Sequence, residues 1–227
     1  MSFPLLSLLE TRVLGVLVEK ERTVPDSYPL TLNSLVSGCN QKNNRDPLLN
    51  ATDEEVQLAI DSLKSRSLVI ESSGSRVMRY THNVGRVLRI PEQAVALLTA
   101  LLLRGPQTAA ELRINAERLH KFADSGAVEG FLDELANRVD EKGDHSLVIK
   151  LAKLPGAREA RWMHLLSGVP EDIANDAEQT FVSATTVATI SVTEIATLKA
   201  QISRLDQQCA ELRELVEKLY RELGVDR

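Results

Sequence analysis

The sequence predicts a mainly α-helical protein with small β-hairpins, built from one unit that occurs twice and from a helix that follows both copies. Three observations support this prediction. The pattern R-x-x-R-[YW]-x-H occurs at residues 76–82 and again at residues 158–164. Apolar residues at helical spacing precede each copy. An apolar heptad pattern fills the C-terminal part of the 227-residue chain.

Each copy of the repeated motif forms the second half of a predicted hairpin. The apolar triplets Leu68-Val69-Ile70 and Leu147-Val148-Ile149 come before the motifs. Turn-forming residues, Gly74 in the first copy and Pro155-Gly156 in the second, separate each triplet from its motif. Two apolar runs joined by a glycine-bearing turn are typical of a β-hairpin. A repeat at a fixed offset indicates a duplicated structural unit.

The first helix of the first copy is predicted from Leu5 to Glu21. Ser7 followed by Glu10 matches the capping-box pattern at a helix N-terminus. Gly15 lies inside this helix, where glycine lowers helix stability. We therefore expect Gly15 to mark a close contact with another helix.

Two shorter helices complete the helical part of the first copy. The second is predicted from Leu30 to Cys39, with Cys39 as a small core residue, because nothing near it in the sequence would activate the thiol. The third begins after Thr52, which forms a second capping-box pattern with Glu55, and continues through Arg66.

A polar run from Asn40 to Pro47 joins the second helix to the third. Such runs are usually solvated loops. The amides and cations of this run, Lys42, Asn44 and Arg45 among them, are also suited to holding an anion, a phosphate or a carboxylate of a partner. The sequence leaves both interpretations open.

The second copy repeats this order of elements. Its first helix is predicted from Pro91 to Leu103 and is apolar on nearly every side, which indicates burial between other elements. Thr108 caps the second helix, and Asp124 or Ser125 opens the third. The hairpin is expected between Leu147 and Leu166.

Three helices followed by a two-stranded hairpin is the order of the winged-helix variant of helix-turn-helix. The fold class predicted is therefore two tandem winged-helix domains, residues 1–86 and 87–167. A linker, residues 168–190, and a C-terminal coiled-coil helix, residues 191–224, follow.

The coiled-coil prediction depends on apolar residues that alternate three and four positions apart. Mostly β-branched residues at one core position and leucine at the other favour a parallel two-stranded coil, and hence a homodimer. The alternative is a single amphipathic helix that folds back on the preceding domains. The predicted dimerisation residues are Ile195, Leu198, Ile202, Leu205, Leu212, Val216 and Leu219.

Several motifs that occur in order make the sequence similar to the YceH family of bacterial proteins. The resemblance extends from residue 8 to about residue 168. It implies tandem winged-helix domains, and it implies no assigned activity and no catalytic residues. The segments that carry it are Tyr28-Pro29-Leu30, Cys39 to Arg45, Leu101 to Gly105, Gln107-Thr108, Glu111-Leu112-Arg113 and Met163-His164-Leu165.

Charge and composition exclude several classes of function. The net charge is −5, and the whole excess lies in residues 170–227, which hold 6 basic and 11 acidic side chains. The two repeats are neutral, so a long-range basic field that would attract nucleic acid is absent. The longest apolar run, Val95 to Leu103, is too short for a transmembrane helix, and Cys39 and Cys209 are expected to be free thiols in the cytoplasm.

No motif in the sequence indicates an enzyme, a cofactor or a metal site. The glycine-rich phosphate-binding patterns and paired cysteine spacings are absent from the sequence. His82 and His164 recur at equivalent positions of the two motifs. We expect each of them to make the same structural hydrogen bond in its own repeat, rather than to bind metal.

DNA binding is the first functional hypothesis, and the hairpins and polar loop are its candidate surfaces. The predicted third helices carry mostly acidic side chains, which disfavours their entry into a groove lined by phosphates. On a strand, residues three apart face opposite sides, so the two arginines of each motif face one ligand only where a bulge intervenes. A structural role for one of them, stacking on Tyr80 or Trp162 or pairing with a helix carboxylate, is the alternative to DNA contact. The candidate nucleic-acid residues are Lys42, Asn44, Arg45, Arg76, Arg79, Lys150, Lys153, Arg158 and Arg161.

The second hypothesis is a protein–protein adaptor that uses the same domains without nucleic acid. An exposed apolar patch on a third helix would be its signature.

Overall fold

The computed structural model describes residues 5–72, 77–140, 143–144, 146–153 and 156–168. The chain divides into two compact units, Met1–Thr180 and Phe181–Arg227. The predicted linker, the coiled coil with its dimerisation residues, and Arg76 of the first motif lie outside the described residues. The coiled coil and the homodimer therefore stay predictions.

The first repeat consists of three helices and an antiparallel hairpin. In the hairpin Val69 lies opposite His82, and the bridge between Leu30 and Tyr80 adds a third short strand position. A 3-10 turn, Pro25–Ser27, follows the first helix. The elements are α1 (Leu8–Thr23), α2 (Leu32–Cys39), α3 (Asp53–Ser65), β1 (Val69–Ser72) and β2 (Arg79–His82).

The second repeat has the same order of elements with additional short strands. A short helix, α4 (Val84–Leu88), leads into it. Its strands form a sheet in the order β3-β7-β6, in which Val148 lies opposite His164 as Val69 lies opposite His82. The elements are α5 (Glu92–Arg104), β3 (Gln107–Thr108), α6 (Ala109–Asn115), α7 (Ser125–Ala136), β4 (Val139–Asp140), β5 (Gly143–Asp144), β6 (Val148–Lys150) and β7 (Arg161–His164).

The prediction of a mainly helical protein with small antiparallel hairpins is confirmed, and so are its capping boxes. Ser7, Thr52 and Thr108 each accept a hydrogen bond from the backbone N–H three residues on, and each glutamate at that position accepts one in return. Asp124 caps α7. Pro91, predicted as the first residue of α5, is its N-cap, so the helix begins one residue later than predicted. Each box satisfies backbone donors that a helix N-terminus otherwise leaves unpaired.

The first helices of the two repeats, α1 and α5, pack directly against each other at Gly15. A Cβ atom placed on Gly15 would lie 2.7 Å from Cδ2 of Leu103, so a larger residue here would require the Leu103 side chain to move. The expectation that Gly15 marks a close helix contact is confirmed. One hydrophobic core continues from Val13 and Leu17 of α1 to Leu97 and Leu101 of α5. This core crosses the predicted domain boundary at residues 86 and 87.

Helix α1 also holds a buried cation. Arg12 is fully buried, and its guanidinium donates to the carbonyl oxygens of Cys39, at 3.2 Å, and Pro47, at 2.7 Å. These two bonds fix both ends of the polar loop against α1. Burial raises the pKa of the Cys39 thiol to about 12, as expected for an unreactive core residue.

Within the described residues, no helix combines the length and the hydrophobicity that crossing a bilayer requires. The same residues contain no group of three or more histidine, cysteine, aspartate and glutamate side chains positioned to hold a metal ion.

Candidate functional site

The prediction that Arg45 of the polar loop contacts phosphate is corrected by the structure, because this side chain is buried. Its side chain has no exposed surface, and its guanidinium donates to Glu19 Oε1 at 3.1 Å and to Glu19 Oε2 at 2.6 Å. It also donates to Gln41 Oε1 at 2.8 Å and to the carbonyl oxygen of Gly38 at 3.1 Å. The charge of Arg45 is therefore compensated inside the fold, and the residue holds the loop in place.

The other two candidates of the loop, Lys42 and Asn44, are exposed. Asn44 has a φ of 60°, a left-handed conformation that asparagine tolerates better than most residues. This conformation presents its side chain to the second repeat, where Asn44 Oδ1 accepts a hydrogen bond of 2.7 Å from Arg104. The polar loop therefore reaches across to α5.

Arg104, the last residue of α5, connects the two repeats through neutral partners. One terminal nitrogen of its guanidinium donates to Asn44 Oδ1 and the other donates to Asn115 Oδ1, both at 2.7 Å. Burial lowers the pKa of Arg104, with the Glu19 carboxylate acting in the opposite direction and Arg45 adding to the decrease. A guanidinium stays charged under such a shift. Two amide oxygens thus orient the guanidinium of Arg104, and no carboxylate of the described residues forms an ion pair with it.

Sequence reasoning missed the role of Arg104. The residue stands before Gly105-Pro106, and that pair indicated only where α5 ends. Its partners are 60 and 11 positions away in the chain. A local pattern does not report contacts over such separations.

Two clefts meet at Arg104. The larger has a volume of about 430 Å³, and the smaller, of about 360 Å³, reaches Arg161 of the second hairpin. Asn44, Arg104 and Asn115 line both. The fold therefore brings the polar loop of the first repeat and the base of the second hairpin to one surface.

The two hairpins present different side chains to solvent. In the first, Arg79 donates to the carbonyl oxygen of Pro29 at 2.7 Å, which is the structural role that the sequence left open for one arginine of each motif. In the second, Lys153, Arg158 and Arg161 are exposed. Lys150 lies 5.1 Å from the centre of the Trp162 ring and 3.6 Å from Glu129.

The expectation that His82 and His164 share one structural hydrogen bond is wrong. His82 Nε2 lies 2.9 Å from Glu21 Oε2, and the backbone N–H of His82 donates to the Tyr28 hydroxyl. The Nδ1 atoms of both histidines are buried without a hydrogen-bond partner among the described residues. Burial lowers the pKa of His164 to about 4. Equivalent strand positions thus place the two rings in different environments.

The third helices, α3 and α7, both expose acidic side chains. Asp53, Glu54 and Asp61 of α3 face solvent, as do Asp133 and Glu134 of α7. A second feature of α3 is Leu58, with 71% of its surface exposed. The first hairpin adds further exposed apolar side chains, including Ile70 at 48% and Met78 at 43%.

Comparison with known proteins gives a family for this chain. A family model described as "Protein of unknown function, DUF480" matches residues 6–157. A UPF0502 protein of Leptothrix cholodnii is 55% identical over 222 residues, covering 96% of this chain and 95% of that protein. A UPF0502 protein of Burkholderia multivorans is 54% identical over 218 residues, covering 96% and 89%. The resemblance to YceH-type proteins is confirmed by these matches.

Proposed function

The chain belongs to the DUF480 family of proteins of unknown function, and we propose that it is a non-enzymatic, cytoplasmic, tandem winged-helix protein that binds DNA as a homodimer. The protein contacts the phosphate backbone through the second hairpin and not through its third helices. The coiled coil, residues 191–224, supplies the dimer. Binding of this kind suits a regulator of transcription, which is an argument from fold analogy.

The observation that carries this proposal is the charge of the second hairpin. Between residues 148 and 164 the sequence holds four cations, Lys150, Lys153, Arg158 and Arg161, against the single carboxylate of Glu159. All four cations are exposed. In winged-helix proteins the wing contacts the DNA backbone, and lysine and arginine supply most such contacts. A local basic wing on a neutral domain supports backbone contact without a strong long-range field.

The acidic third helices support the same assignment. A groove-inserted helix would place Asp133 and Glu134 of α7, or Asp53 and Glu54 of α3, near phosphates. Such like-charge placement costs several kcal/mol when water is excluded. At the N-terminus of α3 the carboxylates instead stabilise the helix dipole.

Fluorescence anisotropy with a labelled duplex of about 25 base pairs, over a range of salt concentrations, tests the proposal. The double variant Lys153→Ala with Arg158→Ala removes two phosphate contacts. We expect the slope of log affinity against log salt to fall by about two and the affinity to fall at least tenfold. The matched control, Arg113→Ala with Lys121→Ala, removes two exposed cations of the same repeat away from the hairpin. Flat binding curves for the unmodified protein at low salt would reject DNA binding.

A protein adaptor is the second candidate function, and Leu58 favours it. The adaptor hypothesis expects an exposed apolar patch on a third helix, and the exposed Leu58 of α3 and the exposed apolar side chains of the first hairpin support that choice of surface. The test is a lysate pull-down with and without nuclease, comparing the unmodified chain with Leu58→Glu. A partner that survives nuclease and is lost with Leu58→Glu supports the adaptor. Retention that disappears with nuclease supports DNA binding.

A further inference from the structure

The larger cleft beside Arg104 carries an excess of positive charge. Its walls come from both repeats: the end of α1 and the polar loop on one side, α5 and the segment after α6 on the other. Four cations, Lys20, Lys42, Arg104 and Arg118, line it against one carboxylate, Glu19. The formal charge of the lining, four positive groups and one negative, is therefore +3.

The single carboxylate is already engaged. Both oxygens of Glu19 accept hydrogen bonds from the buried Arg45, and Lys20 Nζ lies 3.6 Å from Glu19 Oε2. Arg45 does not line the cleft, so its charge only neutralises Glu19 from behind. Glu19 forms no ion pair with the remaining three cations of the lining, although its charge acts on Arg104 from a distance.

The other three cations have no acidic partner within the part of the chain that the structure describes. Arg104 is held by two neutral amide oxygens, which orient its guanidinium without cancelling its charge. Lys42 and Arg118 are exposed and form no ion pair with a described carboxylate. Three cations from two walls of one cleft, none of them in an ion pair with a described carboxylate and one of them oriented by amide oxygens, are suited to bind an anion with several charges.

The remaining lining suggests what the anion is attached to. Apolar side chains, Val24, Ala100, Leu103 and Leu119, form part of the wall, and Asn43 and Asn115 add polar groups. A volume of about 430 Å³ falls within the range of pockets for small organic ligands. It is too small for a folded partner and suits a molecule with a charged and an apolar end.

We propose that this cleft, formed by Lys42, Arg104 and Arg118, binds a small organic phosphate with two or more negative charges. The phosphate groups lie against the three cations, and the organic part lies against Val24 and Leu119. Because the ligand contacts both repeats, its binding stabilises their packing. No described residue of the second hairpin lines this cleft, so the proposed site uses none of the side chains of the proposed DNA contact.

Calorimetric titration and thermal unfolding of the full chain at constant ionic strength test the site. The probes are inorganic pyrophosphate and adenosine 5′-diphosphate, with sodium chloride at matched ionic strength as the blank. We expect saturable binding of both probes and a higher unfolding temperature in their presence. The double variant Lys42→Ala with Arg118→Ala should weaken binding at least tenfold, because it removes two exposed cations and leaves Arg104 and its amide partners in place.

Two comparisons make the result decisive. The variant Arg113→Ala with Lys121→Ala should bind pyrophosphate within twofold of the unmodified chain. The hairpin variant Lys153→Ala with Arg158→Ala should also bind it normally, whatever its effect on DNA. Absence of saturation, or equal loss in the cleft and control variants, overturns the proposal. Protection by a short DNA duplex alone, without any effect of the two small probes, overturns it as well and assigns the cleft to nucleic acid.

Discussion

The helices α1 and α5 occupy equivalent places in the two repeats but are buried by different chemistry. Arg12 and Glu19 of α1 lie on faces that hold the polar loop, while the residues 82 positions later are Ala94 and Leu101. Arg12 and its counterpart Ala94 are both buried, with 0% and 2% of their surface exposed. The first helix of a repeat can therefore be buried either by a charged hydrogen-bond network, as in α1, or by apolar side chains, as in α5. The charged version adds a loop whose position is fixed by specific hydrogen bonds.

The largest expected effect comes from breaking the charged network of the first repeat. Arg45→Met leaves the Glu19 carboxylate, which is mostly buried, without its partner. Removing one member of a buried ion pair costs about 3 kcal/mol of unfolding free energy. Urea unfolding monitored by circular dichroism measures the loss.

The exposed pair between Arg22 of α1 and Glu92 of α5 is the control, since it likewise joins an arginine to a glutamate. Its two side chains are 39% and 75% exposed. Arg22→Met should therefore cost less than about 1 kcal/mol. Equal costs for the two variants would contradict the contrast between a buried and an exposed pair.

A second prediction concerns the equivalent histidines. Burial depresses the pKa of His164 to about 4 in the folded protein, below the unfolded value near 6.5. The unfolded chain then binds more protons in this window, so the contribution of neutral His164 is complete above pH 6.5 and is lost as the pH falls toward 4. The loss between pH 7 and pH 4.5 should be about 2 kcal/mol.

Unfolding free energies of the unmodified chain and of His164→Gln across this pH range test the assignment. The variant should show a shallower decrease in stability on acidification. His120→Gln, a histidine of the same repeat outside the strands, serves as the control and should follow the unmodified chain. A parallel decrease in all three proteins would remove His164 as the cause.

A third prediction compares two helical glycines, one in each repeat. Gly15→Ala places a methyl group against buried Leu103 and should destabilise the protein by about 1 kcal/mol, since overpacking exceeds the gain in helix propensity. Gly130→Ala of α7 meets no atom within 4 Å and should stabilise it by about 0.5 to 1 kcal/mol. The midpoint of urea unfolding distinguishes the two signs. Stabilisation by both substitutions would show that α1 and α5 can shift apart at this contact at little energetic cost.

The smallest effect is expected at the surface of the second hairpin. Lys150 and Glu129 are each about half exposed. Lys150→Gln should change the unfolding free energy by no more than about 0.5 kcal/mol, including the loss of the contact with the Trp162 ring. If the hairpin binds DNA, the same variant lowers the affinity for DNA in the anisotropy assay while the unfolding free energy stays almost unchanged. A large loss of stability would instead give Lys150 a structural role.

Local patterns in the sequence predicted the elements and their caps well, because those depend on residues three or four positions apart. Ser7 with Glu10 and Thr52 with Glu55 are such cases. Gly15 indicated a close contact, although its partner Leu103 was not predictable from the helix itself. The short strands β3, β4 and β5 were missed, since two-residue strands carry no periodicity.

The candidate site was less predictable than the fold. Exposed Lys42 and buried Arg45 belong to the same polar run, and nothing local distinguishes them. Their difference arises from Glu19, 26 residues before Arg45, which draws one guanidinium inside. Arg104 likewise acquires its role from Asn44 of the other repeat. The residue types of the polar run indicated a surface for anions, but only tertiary contacts determine which of its cations stay exposed to bind one.

The glycine-mediated seam between α1 and α5 has a consequence for the history of the chain. Each repeat buries apolar side chains of its first helix against the other repeat, so an isolated half would expose leucines and valines to water. Cutting the gene near codon 87 should yield two insoluble fragments that recover only when produced together. The duplication has thus become obligatory, and later change in either half is constrained by the shape of its twin.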